Sequence, residues 1–123
     1  MKIKLVEKVN PADRSKPAKW YANAVNAGKK DIRSIAKEIA GRSSLTRGDI
    51  ENVLSNFVDE LPTLLKDGFS VQLGEFGTLR LSLSSEGAEQ PETFNAGTIS
   101  GKVIFTPGTA VKKELADITY EKE

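Results

Sequence analysis

The chain carries eighteen Lys and Arg and seventeen Asp and Glu, with no histidine and no cysteine. That set favours holding anions over making bonds. The commonest general base, the commonest metal ligand and every thiolate or disulfide are missing. The remaining nucleophiles are Ser, Thr, Lys and carboxylates. No GxSxG, Walker A or dinucleotide fingerprint organises them. Glu51, Asp59 and Glu60 fall on the helix face opposite an apolar stripe, which a solvated face explains. No enzyme activity, metal, cofactor or small-molecule substrate is expected.

The cations are not spread evenly. Residues 1–37 hold ten Lys/Arg against three acids, a net of +7, and the rest hold eight against fourteen, a net of −6. Such polarity marks either a polyanion-binding end or a solvated Lys-rich segment. No apolar run reaches the length of a signal peptide or membrane span, so a soluble, intracellular chain without membrane contact is expected.

A second candidate is the run Gly74-Glu75-Phe76-Gly77-Thr78-Leu79-Arg80-Leu81. Its glycines suggest a phosphate cradle, a bulge or a sheet bend. No Lys follows and a strand, not a helix, comes next, so the cradle reading is weak. A bulge at Gly74-Glu75 that turns Phe76 inward fits better.

The elements that must position these groups follow from periodicity. Ile3, Leu5 and Val9 alternate with mostly charged residues, predicting a half-buried strand over 2–9. Residues 10–17 contain two prolines and form a loop. A second strand covers 19–25, with Trp20 or Tyr21 inward. Asp31 opens a helix with an apolar stripe of Ile32, Ile35, Ala36, Ile39 and Ala40, stopped at Gly41. Thr46 and Asp49 cap a longer helix, 46–66, whose stripe runs from Ile50 to Leu65. Pro62 should kink it near Val58. Val71 and Leu73, then Leu79, Leu81 and Leu83, share a strand parity, with Arg80 on the other face. Residues 84–97 read as a long, mobile connection and 98–105 as the return strand. A Thr106–Thr109 turn leads into a last helix with Val111, Leu115 and Ile118 inward. Residues 118–123 can end as a short edge strand.

This order of elements resembles the bacterial HU/IHF histone-like DNA-binding family. Val71-Gln72-Leu73-Gly74-Glu75-Phe76-Gly77-Thr78-Leu79 is similar to the family's V-Q-L-V-G-F-G-T-F. Phe105-Thr106-Pro107-Gly108 is similar to its Phe-Lys-Pro-Gly turn. The resemblance covers residues 30–117. The basic hairpin ahead of it and the tail after it resemble the extended HU-related subfamily typical of Bacteroidetes.

The resemblance implies an α+β fold in two parts. Residues 1–29 would be a basic N-terminal β-hairpin extension, and 30–123 an HU/IHF-like domain. That domain would have a base of two helices, a three-stranded antiparallel sheet, a β-ribbon arm at about 82–101 and a C-terminal helix. It further implies a homodimer at the nucleoid in the cytoplasm. Its partner would be double-stranded DNA, bound through minor groove and phosphates with little sequence reading, and bent. Phe57, Leu61, Phe69 and Phe76 are the interface candidates. Carried over by position, Gly108 and Thr109 would meet phosphate at the turn, helped by Lys112 and Lys113. Lys102 and Arg80 lie on the strands, and Pro91 is either the arm's wedge or a turn proline. Lys29, Lys30, Arg33, Lys37, Arg42 and Arg47 would supply the helical base. The arm departs from the family: it has Glu86, Glu89 and Glu92, and no Lys or Arg between Ser84 and Gly101. A second reading therefore stays open: an HU-fold structural or protein-interaction module that has lost most DNA affinity.

Overall fold

Alternation over the first residues does form a strand. In a computed structural model describing residues 1–123, β1 (Lys2–Lys8) pairs antiparallel with β2 (Lys19–Ala24). The expectation that Trp20 or Tyr21 turns inward fails. They are 63% and 48% exposed, and Leu5 and Val9 also stay exposed. Only Ile3 and Val6 in β1 are half-buried, and every residue of β2 is exposed, so alternation here sorts side chains between two largely wet faces.

Helix α1 (Ile32–Ala40) starts where Asp31 predicts. The Asp31 side chain accepts from the Ser34 amide, and the Ser34 hydroxyl accepts from the Asp31 amide. This reciprocal pair satisfies donors that the first turn cannot bond internally. Helix α2 (Arg47–Lys66) is capped by Thr46, whose hydroxyl accepts from Asp49. Pro62 removes the donor for the Val58 carbonyl, and the helix nevertheless runs on to Lys66. It ends with the Phe69 amide on the Leu64 carbonyl and the Gly68 amide on that of Leu65, the paired bonds of a Schellman stop.

The next stretch differs from expectation. β3 (Val71–Gln72) and β4 (Gly77–Ser84) are not one bulged strand but a hairpin, pairing Val71 with Leu79 and Gln72 with Thr78. Residues Gly74–Phe76 form a single 3-10 turn. The Phe76 amide donates to Leu73 and the Leu73 amide to Gly77, at 3.1 and 2.8 Å, so the chain reverses instead of bending. Phe76 ends 54% exposed, not inward.

β4 then pairs along its whole length with β5 (Ser100–Pro107), giving the antiparallel order β3-β4-β5. The segment between β4 and β5 carries two further 3-10 turns, Pro91–Thr93 and Ala96–Thr98. Helix α3 (Thr109–Ala116) follows. Val111 and Ile118 are half-buried as expected, but Leu115 is exposed. The tail forms β6 (Glu121–Lys122), an edge strand parallel to β1, so the first sheet has the order β2-β1-β6.

The two sequence landmarks meet in space. Gly77 is paired with Pro107, and the Gly108 amide donates to the Phe76 carbonyl at 2.9 Å. The Phe76 and Phe105 rings lie 5.0 Å apart. A Cβ on Gly108 would sit 2.2 Å from the Glu75 carbonyl oxygen, and one on Gly77 2.4 Å from that of Thr106. Backbone touches backbone here, which only glycine permits.

The core is thin. Ala36, Ile50 and Leu65 are the buried hydrophobic residues. A compact monomer of this 13.4 kDa mass exposes about 6,500 Å² by the usual scaling, whereas this chain exposes 10344 Å².

Replacing Gly77 or Gly108 by Ala is expected to cost about 1–3 kcal/mol through overpacking. Gly48→Ala, in α2, where an added Cβ would meet only the Thr46 Oγ1 at 4.0 Å, should stabilise by about 0.5 kcal/mol. Urea midpoints check both. Equal midpoints for Gly108→Ala and Gly48→Ala would contradict the close contact.

Candidate nucleic-acid interface

The structure gathers the expected cations into three groups. In the first, Arg33 and Lys37 stand one turn apart on α1 and face Arg47 at the start of α2. Together with Asp31 and Ser34 they line one open hollow. Arg42, at the corner between the helices, is exposed, as is Lys29 before α1. Lys30 pairs with Glu38 at 3.2 Å, and Arg47 with Glu51 one turn on. Arg33, Lys37, Arg42 and Lys29 make no salt bridge. Exposed pairs of the Lys30 kind contribute about 0–1 kcal/mol, so phosphates can replace them.

Asp31 is the acid within that hollow. Its carboxylate accepts the Ser34 hydroxyl at 2.7 Å and the Ser34 amide at 2.8 Å. The Ser34 side-chain bond above all, then the amide bond, hold its pKa below the ordinary aspartate value, with Arg33 adding a smaller pull. The charge is therefore committed to the helix cap.

The second group lies on the β4–β5 ribbon. Arg80 is opposite Ile104, and Lys102 is opposite Ser82. Alternation places both cations on one face with Thr78, Ser84, Ser100 and Thr106, away from Leu79, Leu81 and Leu83. Over the β4–β5 pairs that face carries hydroxyls, the two cations and Ile104, and no carboxylate. Further along, Pro91 opens an exposed 3-10 turn beside Glu92.

The third group is at α3. Gly108 caps the helix and Thr109 is its first residue. The Gly108 amide is already used by Phe76, so any phosphate must be met by the following first-turn amides, which no helix bonds internally. Lys112 and Lys113 are exposed beside them.

Motif comparison overlooks one more set. Lys2, Lys4 and Lys8 on β1 and Lys19 on β2 share one sheet face by register. The lysines at positions 2, 4 and 8 of the first strand, all of one parity, were the available signal. Among the interface candidates, Phe57, Phe69 and Phe76 are 41%, 60% and 54% exposed. Leu61 is half-buried and lines an apolar hollow with Val58, Leu65, Leu79, Leu81 and Val103. No three metal-ligating side chains converge, and no helix is long and apolar enough to cross a membrane.

The family model HU-HIG, described as an HU domain fused to a wHTH, Ig or glycine-rich motif, matches residues 1–122. The chain belongs to this family. The match takes in the N-terminal strands as well as the helical body. The integration host factor subunit alpha of two Haemophilus influenzae strains is 30% identical over 84 residues, spanning 66% of this chain and 88% of the relative. These HU/IHF proteins are non-enzymatic DNA-binding architectural proteins. Among solved structures, a putative bacterial DNA binding protein from Bacteroides vulgatus aligns with 98% of this chain at TM-score 0.62 and 17% identity. This HU-HIG chain spans about half (47%) of that one. The Anabaena HU of an HU–DNA cocrystal aligns over its full length with 72% of this chain, at TM-score 0.58 and 16% identity. The α+β HU fold is thus shared across relatives of low identity.

The Asp31 cap sets a pH dependence. A carboxyl whose folded pKa is lowered adds stability above its unfolded pKa and loses it as pH falls through the folded one. By NMR titration Asp31 is expected to titrate below the ordinary aspartate value, and Ser34→Ala should raise it. An Asp31 titrating at or above that value in the parent would contradict the capping geometry.

Proposed function

We propose that the chain is a nucleoid-associated, cytoplasmic architectural protein that binds duplex DNA as a homodimer, with little sequence preference, and bends it. The observation that carries this reading is the set of unpaired, exposed cations, Arg33, Lys37 and Arg42, on the helical base of an HU-family fold. Arg80 and Lys102 on the carboxylate-free ribbon face and Lys112 and Lys113 on α3 extend it. Relatives of the same family are named for integration host factor and for HU bound to DNA. In this reading phosphates supply the affinity, since Lys and Arg meet the backbone of any sequence. Residues 30–123 act as the HU body and 1–29 as its extension. Pro91 stands at the far end of the β4–β5 ribbon, where a wedge would enter the minor groove.

The exposed apolar surface supports the homodimer. Val53, Phe57, Phe69, Phe76, Leu83 and Val103 are all at least 41% exposed, and a second copy would remove them from water. Burial of apolar surface contributes about 25 cal/mol per Å².

One observation favours a second reading. Three glutamates and no cation occupy the segment between Ser84 and Gly101, which repels phosphate. On that reading the HU fold serves as a protein-interaction module.

A salt-titrated mobility shift on linear, nicked and four-way-junction DNA separates the two. DNA binding is expected to weaken steeply with salt, and Arg33→Gln with Lys37→Gln to reduce the log–log slope by about 2. Absence of binding to any duplex at about 50 mM salt would leave the interaction-module reading. Sedimentation at micromolar concentration should give twice the 13.4 kDa chain mass. Phe57→Glu, which buries an unpaired carboxylate in the seam, should shift it towards monomer. A monomeric parent would contradict the dimer.

A further inference from the structure

The β1–β2 sheet has two unlike faces. By register Lys2, Lys4, Val6 and Lys8 share a face with Lys19, Tyr21 and Asn23, while Ile3, Leu5 and Glu7 share the other with Trp20, Ala22 and Ala24. Alternation thus segregates the lysines of both strands from Glu7. The carboxylates on the lysine face come from the tail: Glu121, opposite Lys2 on β6, and Glu123, two residues on, whose amide donates to the Ile3 carbonyl at 2.8 Å. None of the four lysines makes a salt bridge; the two ion pairs of the chain are Lys30–Glu38 and Arg47–Glu51. Lys16, from the loop joining the strands, lines a hollow with Lys8, Lys19 and Tyr21, which extends the cationic surface past the end of the sheet. The nearby loop acid, Asp13, is engaged by the Ser15 amide and hydroxyl.

We propose that this lysine face is a second duplex-DNA contact surface, one that supplies phosphate contacts which the acidic β4–β5 connection cannot. The inference rests on the DNA-binding reading above. Three observations point to duplex phosphates. The cations form a row along an extended strand, roughly 20 Å from Lys2 to Lys8, a length that passes about six phosphates of one strand. Their ammonium groups are point charges without the fork geometry of arginine, which suits backbone contact over base reading. The Lys8 ammonium lies 5.7 Å from the Tyr21 ring centroid, so that ring face holds a cation and is not open to stack an unpaired base.

The test compares full-length chains carrying all four substitutions Lys2→Gln, Lys4→Gln, Lys8→Gln and Lys19→Gln, or the same four to Arg, with the parent. All four side chains are exposed, and the Arg set keeps the charge as a control for folding. Each lost phosphate contact lowers the magnitude of the log–log salt slope by about 0.9. The Gln set is expected to lower it by about 2–4 on linear duplex, whatever the sequence, and the Arg set to keep the parent slope. A Gln set with the parent's slope, alongside a reduced slope for Arg33→Gln with Lys37→Gln, would overturn this inference and leave DNA binding standing. Loss of binding to phosphatidylserine vesicles without a change in DNA slope would assign the face to membranes and overturn it as well. A parent that binds no duplex would remove the DNA-binding reading and this inference together.

Discussion

The contact between the Gly74–Gly77 segment and the Thr106–Gly108 turn is the constraint on which the β-sheet half of the molecule depends. Two glycines let two backbones come closer than any Cβ permits. The Gly108 amide closes on the Phe76 carbonyl, which fixes where β5 ends and where α3 begins. Because Gly77 also pairs with Pro107, the same contact sets the register of β4 on β5 over eight residue pairs. That register puts Arg80 and Lys102 on one face and the leucines on the other. The distribution of charge on the ribbon is therefore a consequence of a steric fit some distance from it.

The second governing fact is how little a single copy buries. Helices α1 and α2 close over Ala36 and Ile50, and Leu65 is enclosed where α2 approaches β3 and β4. Elsewhere on the α2 stripe Leu54, Leu61 and Leu64 are half-buried, and Val53, Phe57 and Val58 are exposed. Periodicity predicts a stripe but not its partner, since a helix face that packs within the chain and one that packs on another copy share the same spacing. The same ambiguity misplaced Leu115 and the aromatic residues of β2.

Charge is arranged around this frame in an order that runs against the family pattern. The connection between β4 and β5 is acidic, while the cations gather at α1, at the ribbon base, on α3 and on the N-terminal sheet. Each of those sites is built on a helix or a paired strand, where backbone hydrogen bonds hold the side chains' origins in place. β6 joins that sheet from the far end of the chain, so the termini meet on the element with the densest row of lysines.

By itself the sequence determined the caps at Asp31 and Thr46, the helix lengths, the strand parities and the absence of histidine and thiol chemistry. These follow from local rules: which side chains satisfy a first-turn amide, and which positions share a face at a spacing of 3.6 or 2. The motifs around Phe76 and Pro107 also made the family legible. Only the tertiary structure decided that Gly74–Phe76 reverses the chain as a 3-10 turn, because its bonds to Leu73 and Gly77 form within a hairpin whose pairing is not local. Only the tertiary structure placed Gly108 against Glu75, joined β6 to β1, and set Arg33, Lys37 and Arg47 around one hollow. Those arrangements depend on residues distant in sequence sharing one volume, and no periodicity along the chain encodes that.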